Sequence, residues 1–164
     1  MFSIAFHMAN IIMYTDGSSR GNPGPGGYGT ILISPAHQVR KELSGGFRLT
    51  TNNRMELLAV IAGLEALKNG DNEVIIYSDS QYVVNAVEKG WVFNWEKKNF
   101  KNKKNRDLWQ RFLVAYRRQQ QVRFEWVRGH AGNPENERCD KLAAAAANQS
   151  QLPPDEYFEK NLHK

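Results

Sequence analysis

Two short apolar, β-leaning runs each give way to an aspartate, and a segment with helical apolar spacing lies between them. Ile11-Ile12-Met13-Tyr14-Thr15 leads into Asp16, and Val74-Ile75-Ile76-Tyr77 leads through Ser78 into Asp79. Between them, from Asn53 to Leu67, Leu57, Leu58, Ile61, Leu64 and Leu67 recur at the spacing of one helix face, closing near Asn69-Gly70. Strand, helix and strand in that order predict parallel pairing within an α/β sheet, and ligands of such sheets gather at the carboxyl ends of the strands. Both aspartates are therefore expected at one edge.

The other segments complete a mixed sheet. Gly24 to Gly29 reads as a turn cluster, followed by two strands, Thr30–Ile33 and a stretch around Val39–Phe47. Tyr82–Val87 and Leu108–Tyr116 read as helices, Val122–Val127 as a strand, and Asn133-Pro134 opens an Ala-rich helix running to about Ala147. The predicted order β-β-β-α-β-α-α-β-α pairs the first strand antiparallel on one side and parallel on the other. With 164 residues one domain is expected, spanning 10–148 between an N-terminal tail (1–9) and a fraying, Pro-containing C-terminal tail (149–164). Met8 offers a second start within that first tail.

No apolar run approaches the roughly 20 residues that cross a bilayer, and the first residues lack the basic and apolar regions of a secretory signal. Cys139 is the only cysteine, so an internal disulfide and a thiolate zinc site are both excluded. A cytoplasmic protein without a membrane partner is the expectation.

Charge is unevenly placed. Residues 97–128 carry eleven lysines and arginines against Asp107 and Glu125, whereas the chain as a whole has a net charge of only +5. A cationic stretch beside an otherwise acidic remainder points to polyanion contact. Trp91, Phe93, Trp95, Phe100 and Trp109 punctuate the same region, either as surfaces that pack on sugars and bases or as a small core at a helix junction.

Four carboxylates can converge at the sheet edge: Asp16, Asp79, Glu56 in the first turn of the intervening helix, and Asp140 in the last helix. Like charges that close repel unless hard divalent cations lie among them, Mg²⁺ before Ca²⁺. Two such ions about 3.5–4 Å apart activate a water and steady the leaving oxygen of a phosphodiester, which is nuclease chemistry. Each acid also has a structural explanation: Asn53-x-x-Glu56 is a capping-box pattern, Asp79 suits an N-cap, and Asp140 suits an exposed helix position near Lys141. Asp16, ending an apolar strand, has the least to gain structurally.

The ordered set Tyr14-Thr15-Asp16-Gly17-Ser18, Gly21-Asn22-Pro23-Gly24-Pro25-Gly26-Gly27-Tyr28-Gly29, Thr50-Thr51-Asn52-Asn53-Arg54-Met55-Glu56-Leu57, Ser78-Asp79-Ser80-Gln81-Tyr82 and Gly129-His130-Ala131-Gly132-Asn133-Pro134-Glu135-Asn136-Glu137-Arg138-Cys139-Asp140 resembles the bacterial type 1 ribonucleases H. The likeness runs from about residue 10 to 147. It implies a ribonuclease H-like fold, a five-stranded mixed sheet flanked by helices with a basic handle over about 91–109, and cleavage of the RNA strand of RNA/DNA hybrids. By the same resemblance Asp16, Glu56, Asp79 and Asp140 would hold two Mg²⁺ ions, with Mn²⁺ a substitute, and His130 would assist proton transfer or product departure. Small neighbours and a pKa of about 6.5 suit a histidine to that task.

The resemblance also assigns the substrate contacts. Asn22, Asn52, Asn53 and Gln81 would read the hybrid's minor groove, where amides engage base edges and 2′-hydroxyls. Trp91 would pack on a deoxyribose, while Thr51 and Asn105 would hold a DNA phosphate. The chain departs from the family pattern in a slightly shorter lysine-rich stretch and in Leu49, which stands where an arginine is expected. Of the rival motifs, Gly24-x-Gly26-x-x-Gly29 satisfies the dinucleotide fingerprint but opens a strand instead of a helix, and no G-x-S-x-G elbow exists. A monomeric, sequence-independent endonuclease leaving 5′-phosphate and 3′-hydroxyl ends is the function implied, and a non-catalytic hybrid-binding module is the alternative.

Overall fold

A computed structural model describes residues 9–68, 70–129 and 131–163. Five strands form one sheet in the order β3-β2-β1-β4-β5. Their ranges are β1 Ile11–Ser19, β2 Gly24–Ser34, β3 Val39–Thr50, β4 Glu73–Ser78 and β5 Gln121–Trp126. β1 pairs antiparallel with β2 and parallel with β4, β2 pairs antiparallel with β3, and β4 pairs parallel with β5. The mixed α/β sheet expected from the sequence is thus the sheet observed.

The helices are α1 Asn52–Glu65, α2 Gln81–Glu88, α3 Trp91–Lys97, α4 Arg106–Arg117, α5 Pro134–Ala147 and α6 Glu156–Lys160. α1 packs on one face of the sheet and α5 on the other. On the α1 side the Thr30 hydroxyl donates to the Ala59 carbonyl at 2.6 Å, and a side chain on Gly63 would collide with Met13. Met13, Met55, Leu57, Ile61 and Ile76 fill that layer and are fully buried. α4 extends the core with Trp109 and Phe112, both wholly enclosed and edge-on to each other at 5.6 Å.

The glycines from Gly24 to Gly29 are not a turn. They lie inside β2, and the turn before it is formed by residues 20–23. Their lack of side chains serves close approach: a Cβ on Gly27 would stand 2.4 Å from the Ala143 carbonyl oxygen, and one on Gly29 2.4 Å from that of Cys139. What comes up against these glycines is α5, and the periodicity of β2 alone carries no mark of that.

β1 likewise does not stop at its carboxylate. It runs on to Ser19, because β2 continues to pair with it, with Asp16 opposite Gly29. Only the parallel ladder with β4 ends early, at Tyr14–Tyr77. Asp16 therefore lies just past the carboxyl end of the parallel pair.

The C-terminal segment is docked rather than frayed. Arg48 donates its backbone N–H to the Pro153 carbonyl at 2.9 Å and pairs with Glu159 at 2.8 Å. Asp155 is buried, N-caps α6, and accepts from the Thr50 hydroxyl at 2.8 Å and from Arg54 Nε at 2.7 Å. Arg54 is itself buried, and all five of its N–H groups are used, on Asp155, Asp107 and Asn105. A polar, Pro-containing tail hides this role because its partner lies about a hundred residues upstream.

Candidate active site

Three of the four expected carboxylates meet. Asp16, Glu56 and Asp79 each offer an oxygen, and these oxygens lie within 4.8 Å of one another. Residue alternation explains how acids from both sides of a sheet converge. Asp16 pairs opposite Gly29, on the α5 face, and its carboxyl lies within hydrogen-bonding reach of Asp140 on that helix. Gly17, one residue on, points the other way. A Cβ there would stand 2.3 Å from the Met55 carbonyl carbon, so only glycine lets the first turn of α1 press in and bring Glu56 to the strand.

Both helices that carry or flank the other acids have caps of their own. Thr51 caps α1, its hydroxyl oxygen accepting from Arg54 N at 3.2 Å, and Ser80 caps α2, accepting from Val83 N at 3.2 Å. The capping alternatives for Glu56 and Asp79 are thereby removed. Asp79 follows directly on β4, and Trp126 at the end of β5 donates its indole N–H to the Asp79 carbonyl at 3.2 Å. Gly129 is the second residue pressed on it, since a Cβ there would lie 2.7 Å from Asp79 Oδ2. Gly129 belongs to the Gly129-His130-Ala131-Gly132 motif, but neither its approach to Asp79 nor that of Trp126 is marked by sequence spacing; the β4–β5 register sets Trp126 beside Ser78, next to Asp79.

The electrostatics are those of crowded, partly dehydrated acids. Burial pushes the Asp16 carboxyl up to about 8, with the charges of Asp79 and Asp140 adding to the rise. Glu56 is raised well above its ordinary value, again chiefly by burial and then by Asp16 and Asp79. Gly17's backbone N–H opposes both shifts by favouring the charged forms. One oxygen of Glu56 and one of Asp79 are buried with no hydrogen-bond partner among the described residues. Orphaned buried acceptors held against each other fit a hard divalent cation, which would supply the missing positive charge.

The remaining expected residues are placed as follows. Asn52 Oδ1 accepts from Ser19 N at 2.7 Å, and Asn22 Oδ1 accepts from Asn52 N at 3.0 Å. Asn53 and Gln81 are exposed on the first turns of α1 and α2. Thr51 and Asn105 are tied to the same Arg54. His130 lies outside the described residues. Cys139 is fully buried against β2, and that burial raises its thiol's pKa, which suits packing and not nucleophilic attack.

Most of the aromatic run proves to be core. Trp109 and Phe100 are buried, Phe93 and Trp95 pack against the core, and of these rings only Trp91 is well exposed, at 43%. Lys89 lies over the Trp91 ring at 5.3 Å and Lys103 over Trp95 at 5.0 Å. Part of the cationic stretch is also structural: Arg111 pairs with Glu65 at 2.8 Å and Arg117 with Glu96 at 2.6 Å. Asn99, Phe100, Asn102 and Asn105 all take left-handed backbone, the tight course of the segment between α3 and α4.

Residues 8–148 match the family model described as RNase H. The chain belongs to the ribonuclease H family. It is 58% identical over 154 residues to a ribonuclease H of Desulforamulus reducens, covering 91% of this chain and 94% of that one. Among solved structures it is similar to LC9-RNase H1, a type 1 RNase H with the type 2 active-site motif (TM-score 0.77, 31% identity, 96% of this chain and 82% of that one). It is also similar to LC11-RNase H1 in complex with an RNA/DNA hybrid (TM-score 0.64, 27% identity, 84% of this chain and 96% of that one). Family membership makes this chain a hydrolase of the endoribonuclease class, and the acids gathered at Asp16 are its candidate catalytic centre.

Proposed function

We propose that the protein hydrolyses the RNA strand of RNA/DNA hybrids, without sequence specificity, at a centre where Asp16, Glu56, Asp79 and Asp140 hold two Mg²⁺ ions. The observation that carries this reading is the set of converging carboxylates with orphaned buried oxygens on Glu56 and Asp79. Divalent cations held there supply charge that activates the attacking water and stabilises the departing 3′-oxygen, with Mn²⁺ able to substitute. Cleavage so directed leaves 5′-phosphate and 3′-hydroxyl ends. Asp16 is the central acid, since it faces Asp79 and Asp140 and adds to the crowding of Glu56. His130 moves a proton or helps the product depart.

Substrate discrimination follows from the donors left over. The carbonyl oxygens of Asn22 and Asn52 accept from backbone N–H groups of the protein, and both side chains are exposed, so amide N–H groups are what they have to offer a substrate. N–H donors suit the acceptor atoms of the minor groove and the 2′-hydroxyls of the RNA strand. Asn53 and Gln81 extend that row, Trp91 presents a ring to a deoxyribose, and Thr51 and Asn105 take a DNA phosphate. Phosphate contacts and groove shape carry little base information, which is why no sequence preference is expected. The protein acts as a cytoplasmic monomer; no helix among the described residues is long and apolar enough to cross a membrane.

The test is cleavage of an end-labelled RNA/DNA hybrid in Mg²⁺ and in chelator, beside single-stranded RNA, duplex RNA and duplex DNA. Metal-dependent cutting confined to the RNA strand of the hybrid is the expected outcome. Retention of the hybrid with no cutting in either Mg²⁺ or Mn²⁺ would establish a binding module instead.

A further inference from the structure

Asn105 stands at the N-cap of α4 with a left-handed backbone, yet its side chain does not cap that helix. The amide is turned between α1 and α2 instead. Its Oδ1 accepts from Arg54 Nη1 at 3.3 Å, and its Nδ2 donates to the Tyr82 hydroxyl at 3.0 Å. A guanidinium offers only donors, so the carbonyl end of the amide must face Arg54 and the amino end Tyr82. Tyr82 Oη also accepts from Trp109 Nε1 at 2.8 Å, and Trp109 is wholly buried, so the phenol is anchored from the core. Arg54 is held by two carboxylates and gives its backbone N–H to the Thr51 hydroxyl oxygen at 3.2 Å.

We propose that Tyr82, acting with Arg54, is a positioning residue for the DNA strand, aligning Asn105 and Thr51 as two donors on one backbone phosphate. The inference rests on the reading of Thr51 and Asn105 as phosphate contacts. With one Nδ2 hydrogen committed to Tyr82, the second is the donor Asn105 has left. With its lone pair accepting from Arg54 N, the Thr51 hydroxyl keeps its proton to give. A phosphate oxygen only accepts, so two donors with fixed directions are what it needs. Without the Tyr82 hydroxyl the amide is still held at its carbonyl end by Arg54 but is free to tilt, and the amino group loses its aim.

Replacing Arg54 would leave Asp107 and Asp155 without a counter-charge and threaten the fold, so Tyr82→Phe carries the test. It keeps the ring against Trp109, 5.7 Å between centroids, and removes the hydroxyl, which also takes the acceptor from the Trp109 indole N–H. In steady-state cleavage of a hybrid with Mg²⁺, KM is expected to rise about fivefold, the size of one neutral hydrogen bond, with kcat unchanged. A mere loss of stability would not produce that split. In an Asn105→Ala background the same substitution should add nothing further. Neutral methylphosphonates placed singly along the DNA strand should weaken the wild type at one position, and Tyr82→Phe should blunt that sensitivity. An effect that falls on kcat as well, or persists undiminished with Asn105→Ala, overturns the proposal. If no DNA position is sensitive in the wild type while the RNA strand is still cut, the phosphate subsite beneath the proposal fails and the hydrolytic reading stands.

Discussion

Replacing Asp16 with asparagine should stabilise the metal-free protein while abolishing its activity. In the folded chain burial and the neighbouring acids move this carboxyl from 3.8 to about 8. An acid with a raised folded pKa does no harm below its unfolded value. As pH climbs past that value the unfolded chain releases the proton first, and folding stability falls by about 1.4 kcal/mol per pH unit until the folded pKa is reached. From 3.8 to pH 7 the ceiling is about 4 kcal/mol. Asparagine removes the titration but still buries an amide, so a gain of about 2–3 kcal/mol at pH 7 is expected. The assay is urea denaturation of both proteins in chelator at several pH values from 5 to 8. The advantage of the variant should grow steadily across that range, and added Mg²⁺ should narrow it, since the ions bind the folded wild type preferentially. A difference that is flat with pH, or in favour of the wild type in chelator, would refute the argument that the protein itself bears the repulsion.

Three further perturbations separate the parts of the structure. Asp155→Ala breaks a buried charge network and leaves the Thr50 hydroxyl unpartnered, so urea unfolding should show a loss of about 3 kcal/mol; a change below about 1 kcal/mol would mean that the C-terminal segment contributes little. Gly129→Ala places a methyl 2.7 Å from Asp79 Oδ2, and kcat should drop about ten- to a hundredfold with Tm little altered. An unaffected kcat would show that the Asp79 carboxylate is free to move without consequence. Neutralising Lys101, Lys103 and Lys104 together should raise KM and flatten its salt dependence with no comparable loss in kcat; an unchanged salt slope would place those lysines away from the substrate.

The parts of the fold that were legible in the sequence are those set by local periodicity. α5 runs from Pro134 to Ala147 as its opening and alanine run place it, and the observed β4, α2, α1, α4 and β5 differ from their predicted ends by only one or two residues. α3 was not legible, because Trp91, Phe93 and Trp95 in a charged setting are compatible with either a binding surface or a core. The acids were legible as candidates, but Thr51 and Ser80, not the acids or Asn53, proved to be the caps. A cap is chosen by backbone conformation at the helix start, and neighbouring Ser, Thr, Asn and Asp residues are near-equivalent competitors for it.

By itself, then, the sequence determined the order of the strands and of the helices α1, α2, α4 and α5, the mixed sheet, and four carboxylates on elements that can meet. Only the tertiary structure decided that Gly27 and Gly29 make room for α5, that Gly17 admits α1, and that Asp155 returns to Arg54 from the far end of the chain. The physical reason is common to these cases. Periodicity records which face of an element is apolar, whereas close approach and charge burial depend on partners brought together by packing, and those partners are distant in sequence.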